Sequence, residues 1–70
     1  MKKRIVKRPK LVEYRNGRPQ SVLADMYGVT QQTWSMWEKG AWKPNVITMK
    51  KLENDSGIPM EELFADVFNK

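Results

Sequence analysis

"GVTQQTWSMWEKG", residues 28–40, decides the fold. It sets a glycine, a threonine and two adjacent glutamines ahead of Trp34 and Trp37, large apolar rings three residues apart. On a helix turning ~100° per residue, the two indoles lie within about 60° of each other and share a face. Gln32, Ser35, Met36 and Lys39 fall on the opposite side, with Gln31 on its shoulder. The indoles therefore anchor the segment, and their spacing is that of a buried stripe rather than of a base-stacking platform. The outward face carries amides, a hydroxyl, a thioether and a cation. Such a face fits the DNA major groove, where a glutamine amide pairs bidentately with adenine N6 and N7. Two glutamines alone would be ordinary polar surface; their order after a helix, a glycine turn and a capping residue gives them meaning.

Working outward, Thr30 is a suitable N-cap for the helix 31–39, and Gly40 is its stop. Upstream, Pro19 opens "PQSVLADMY", in which Val22, Leu23, Met26 and Tyr27 have the i, i+1, i+4, i+5 spacing of one buried face. Gly28 ends it in the left-handed conformation that glycine adopts without a steric cost. Before that, Pro9 starts "PKLVEYRN", with Gly17 as the stop. Downstream, "AWKP" forms a loop, and Asn45 caps a fourth helix to about Ser56 with Val46, Met49 and Leu52 spaced by threes. Gly57 stops it, and Pro59 begins a fifth, "IPMEELFADVF", whose first-turn Glu61 and Glu62 suit the helix dipole. The expected fold is a compact all-α domain of five helices. The only strand-like pattern is "RIVKR", which alternates apolar and basic and could pair as an edge strand.

Seventy residues suffice for one small domain with one hydrophobic core. The chain has neither cysteine nor histidine. Disulfides, thiolate or imidazole zinc sites and the commonest general bases are thereby excluded. Asp25, Glu38, Glu53 and Asp55 are scattered carboxylates without a phosphate loop or ligand cluster, so no enzyme, cofactor or metal is expected. No stretch has the length and apolarity of a membrane span, and no apolar core follows the basic start as in a signal peptide, so a cytoplasmic location is expected.

The net charge of +5 is concentrated at one end. Residues 1–10 hold six basic groups and no acid, whereas the other sixty hold seven basic and eight acidic groups, a net of −1. This divides the chain into a basic arm, residues 1–8, and a folded unit, residues 9–68. Lys2, Lys3, Arg4, Lys7 and Arg8 form an arm suited to phosphates, or else a solvated terminus that aids solubility.

Residues 17–64 closely resemble the Cro and lambdoid-repressor group of helix-turn-helix regulators from bacteria and phages. The matching residues are Gly17, Gln20, Leu23, Ala24, Gly28-Val29-Thr30, Thr33, Ser35, Trp37-Glu38, Gly40, Pro44, Leu52, Gly57-Ile58 and "EELF" at 61–64. They keep the family's spacing without a gap, and their combination is specific where no single residue is. The resemblance implies a sequence-specific double-stranded DNA-binding protein, most simply a Cro-like repressor. Its second helix would lie across the DNA backbone while helix 31–39 reads bases through Gln31, Gln32, Ser35 and Met36. It further implies that Gln20 touches a phosphate and buttresses Gln31. Thr30, Thr33, Lys39, Trp42 and Lys43 would meet the backbone.

The chain also departs from the family. Prolines 19 and 59 replace the serines that usually cap two helices. Glu13 stands where an arginine often pairs with the acid matching Glu38, so that pair must be absent or rebuilt, with Arg15 the candidate. Met36 replaces a polar base-reader and could contact a thymine methyl instead. Finally, Leu63, Phe64, Val67 and Phe68 form an apolar stripe past the family's "LF" ending. Val67 and Phe68 either close the core or leave a patch for a homodimer on DNA. Such a patch also keeps open a protein-interaction module, such as an antitoxin or phage accessory factor, with a protein as main partner.

Overall fold

The computed structural model describes residues 8–68. The strand-like "RIVKR" and the arm cations Lys2, Lys3, Arg4 and Lys7 thus lie outside the described residues, apart from Arg8. Among the described residues six helices follow in order: α1 Pro9–Arg15, α2 Gln20–Met26, α3 Gln31–Lys39, α4 Val46–Ser56, α5 Met60–Leu63 and α6 Ala65–Phe68. No strand occurs among the described residues, and the all-α expectation holds.

The extra helix arises because the fifth one breaks at Phe64, where φ −123° and ψ 48° leave the helical region. The turn drives the Phe64 ring fully into the core. Its carbonyl then accepts from Val67 N (2.8 Å) and Phe68 N (3.2 Å), which restarts the chain as α6. Burial of an aromatic ring outweighs the continuation of one short helix.

The helix starts follow the capping residues. Thr30 Oγ1 accepts from Thr33 N at 3.1 Å, and Asn45 Oδ1 accepts from Thr48 N at 2.8 Å. Helices α2 and α5 begin at Pro19 and Pro59 without a side-chain cap. The α1 stop falls one residue earlier than Gly17, since Asn16 itself takes the left-handed conformation (φ 53°) that asparagine tolerates.

The core comprises Leu11, Leu23, Ala24, Trp34, Trp37, Met49, Leu52, Leu63 and Phe64. The buried face of α2 is rotated from the expected one: Leu23 and Ala24 are buried and Tyr27 packs against them, whereas Val22 and Met26 are exposed. Counting only large side chains sets the stripe too early, because the small Ala24 marks the face against which α3 closes. In α4, Met49 and Leu52 enter the core, but Val46, in the first turn, lies beyond its edge and is exposed.

Both α3 indoles are buried. Trp34 stacks on Tyr27 with centroids 5.8 Å apart and meets Trp37 at 5.6 Å in a tilted arrangement. This cluster pins α3 to α2 and leaves the opposite face of α3 outward.

Candidate nucleic-acid interface

The turn between α2 and α3 depends on Gly28, whose φ of 68° would strain any side chain. Thr30 then starts α3 and fixes the direction of its first turn. Thr30 and Thr33 hydroxyls lie 2.9 Å apart, so both expected backbone-contacting threonines also serve the cap. At the other end, Gly40 (φ 82°) donates to Trp37 O and Ala41 donates to Met36 O at 3.0 Å. This pair of bonds satisfies two of the carbonyls left over at the helix end.

Between these caps, α3 presents Gln31, Gln32 and Lys39 exposed, with Ser35 and Met36 half-buried. Together with Gln20 they line one open depression of about 430 Å³. The structure thus brings the residues singled out as base-readers onto one face, with Gln20 beside them. Trp42 and Lys43 are exposed in the loop that follows.

Behind this face sits Glu38, a buried carboxylate that accepts four hydrogen bonds. Arg15 supplies two, Nε to Oε2 at 2.7 Å and Nη2 to Oε1 at 3.2 Å. The Trp34 indole donates to Oε2 at 2.6 Å, and the Gln20 amide donates to Oε1 at 2.9 Å. The missing family arginine is thus replaced by Arg15. A buried carboxylate is stable only when paired and hydrogen-bonded in this way. The Gln20 contact differs from the expected one: no hydrogen bond joins it to Gln31 among the described residues. The charged carboxylate is the stronger acceptor, and it leaves a second Gln20 N–H uncommitted to Glu38.

Arg8 requires a correction. It was expected on the phosphate-binding arm, but it is 3% exposed. Its Nη1 donates to Trp37 O (2.8 Å) and Trp42 O (2.6 Å), while Nε and Nη2 grip Asp66 at 2.9 and 3.0 Å. The guanidinium also lies 5.0 Å from the centroid of the Phe64 ring. A planar fork with five donors suits two carbonyls and a carboxylate, and the carbonyl end of α3 favours a cation. No sequence signal could have paired Arg8 with Asp66, 58 residues away. The arm therefore joins the body at Arg8, against the C-terminal end of α3.

A second network, which no local sequence signal marks, links α1, the end of α2 and α4. The Tyr14 and Tyr27 hydroxyls are 2.8 Å apart, and Tyr27 donates to Asp55 at 2.8 Å. Burial, and then these two partners, push the Tyr27 phenol well above its ordinary range. Among the described residues, no cluster of acidic side chains could hold a metal, and no helix is long and apolar enough to cross a membrane.

The helix-turn-helix family model matches residues 11–63. The chain belongs to that family. That family, the Cro-like helix-turn-helix group that the sequence resembles, is one of DNA-binding transcription regulators. Neither the curated proteins nor the solved structures give a match. The matched span runs from α1 to the end of α5 and includes the whole of the α3 face.

Proposed function

We propose that this helix-turn-helix protein is a small Cro-like repressor whose α3 reads the major groove of an operator. The observation that carries this reading is the polar depression on α3, backed by a helix that indoles and Glu38 hold rigidly. Gln31 and Gln32 make the bidentate amide contacts to adenine, with Ser35 and Met36 reaching neighbouring bases. Gln20 offers its second N–H to a phosphate. Thr30, Thr33, Lys39, Trp42 and Lys43 flank the groove edge, and Lys2, Lys3, Arg4 and Lys7 supply further phosphate contacts. The protein then works in the cytoplasm, on the nucleoid.

A chain this short reads few base pairs, so two copies are expected on a two-fold site, with half-sites about one turn, ~34 Å, apart. Selection from random duplex DNA tests both points. An enriched inverted repeat is the expected outcome, and absence of any enriched sequence would overturn the reading.

A second reading, a module whose main partner is a protein, draws support from exposed apolar side chains. Phe68 is 44% exposed although Val67 packs against the core, and Ile47 is 82% exposed beside Val46. Under this reading Phe68→Asp abolishes self-association or partner binding while leaving affinity for DNA as it was. Sedimentation with and without operator distinguishes the two.

A further inference from the structure

Met36 is the one apolar side chain among those that line the α3 depression; its neighbours are three amides, a hydroxyl and an ammonium. It is half-buried, and its backbone is held at the helix end by the amide of Ala41 (3.0 Å) and more distantly by that of Trp42 (3.4 Å). The thioether therefore has a fixed origin and a flexible, polarizable tip. Gln32 precedes it by one helical turn and Lys39 follows by nearly one, so all three form a single stripe along the helix.

A thioether sulfur is at best a weak acceptor and donates nothing. Facing adenine, guanine or cytosine in the major groove, it would cover polar edge atoms without pairing them, and unpaired desolvated groups are penalised. Thymine alone presents an apolar group there, its C5 methyl. Resting on the reading of α3 as the groove-reading helix, we infer that Met36 is a specificity-determining residue that selects thymine through that methyl. The half-site therefore contains one thymine whose methyl matters to binding, next to the bases paired by the glutamines. The competing role for Met36 is purely structural: apolar contact with Ala41 often accompanies this kind of helix end.

The test begins with the site enriched from random duplex. Each thymine of one half-site is replaced in turn by deoxyuridine, which removes only the methyl. Wild-type protein should bind about four-fold more weakly at one position, the contribution of a single buried methyl. 5-Bromodeoxyuridine, whose bromine fills the same space, should restore affinity there. Met36→Ala should bind the thymine and deoxyuridine sites equally, and Met36→Gln, which keeps the side chain's length and polar surroundings, is the second variant should the alanine one fail to fold. Uniform effects at every thymine, or a methyl effect that persists in both variants, would overturn the inference. So would an enriched site with no methyl-sensitive thymine, and that result would leave the reading of α3 standing. If no site is enriched, the reading of α3 and this inference fall together.

Discussion

Arg15 grips Glu38 with two parallel hydrogen bonds, from Nε to Oε2 and from Nη2 to Oε1, and so ties the end of α1 to the end of α3. Glu13, at the position of the arginine typical of relatives, is exposed and pairs instead with Lys10 at 3.7 Å. The tie has moved two residues along α1. The same carboxylate also accepts from two further donors, the Trp34 indole and the Gln20 amide. Gln20, which lines the α3 depression, is thus oriented by a buried charge that α1 neutralises.

Removing one member of a buried pair leaves an uncompensated charge and typically costs about 3–5 kcal/mol. Since Trp34 and Gln20 still donate to Glu38, Arg15→Ala should fall at the lower end of that range. Arg15→Lys should recover only part of it, because an ammonium cannot reproduce the planar fork. Urea denaturation measures both; an Arg15→Ala protein as stable as the wild type would show that the pair contributes nothing.

The two faces of α3 should separate cleanly under mutation. Gln31→Ala and Gln32→Ala should each weaken binding to the selected site by about 1–3 kcal/mol. Both side chains are exposed, so melting temperature should hardly change. Trp37→Ala should do the reverse, costing about 3–5 kcal/mol of folding stability as a large-to-small core change. A glutamine variant that unfolds, or one that keeps its full site preference, contradicts the assignment of the faces.

Local signals in the sequence located most of the fold. Thr30 and Asn45 cap as their chemistry dictates, the α3 indoles are buried as their spacing requires, and the polar face of α3 emerges as a unit. Errors arose where tertiary contacts overrode a local pattern. The α2 stripe turned on Ala24, whose size hides it from a search for bulky residues. The break at Phe64 follows from room in the core for its ring. Arg8 looked like one more arm cation because its partners, Trp37 O, Trp42 O and Asp66, are assembled only by folding. The tie to Glu38 was only half legible: a glutamate at position 13 cannot pair with Glu38, which leaves the pair absent or rebuilt through Arg15, and folding decides for Arg15.

Tyr27 offers a test of the core at alkaline pH. Burial and its bonds to Tyr14 and Asp55 raise the folded-state pKa above the unfolded value of about 10. The folded protein therefore holds a proton that the unfolded chain releases above that pH. The stability linked to this group is fully present below about pH 10 and is lost as pH rises beyond it. Tyr27→Phe should be less stable at pH 8, by about 1 kcal/mol for each lost hydrogen bond. The gap to wild type should narrow between about pH 10 and 11. Parallel stability curves for the two proteins across that range would rule out a shifted Tyr27.

The basic N-terminus should divide at Arg8 into two functions with opposite signatures. Deleting Lys2, Lys3 and Arg4 removes charges proposed to neutralise phosphates, and each neutralised phosphate contributes about 0.9 to the log–log salt slope. Their removal should flatten that slope by roughly one to three units and lower affinity for specific and random duplex alike, with no change in melting temperature. Arg8→Ala should behave as a core variant. It removes a buried guanidinium from Asp66 and from the carbonyls of Trp37 and Trp42, a loss of about 3 kcal/mol or more by analogy with other buried pairs. Its salt slope, measured at a temperature where it remains folded, should match that of wild type. Affinity against salt for both variants, alongside their melting curves, decides the division. A flattened slope for Arg8→Ala at unchanged stability would return Arg8 to the arm, and an unchanged slope with a lower melting temperature for the deletion would make the arm part of the fold.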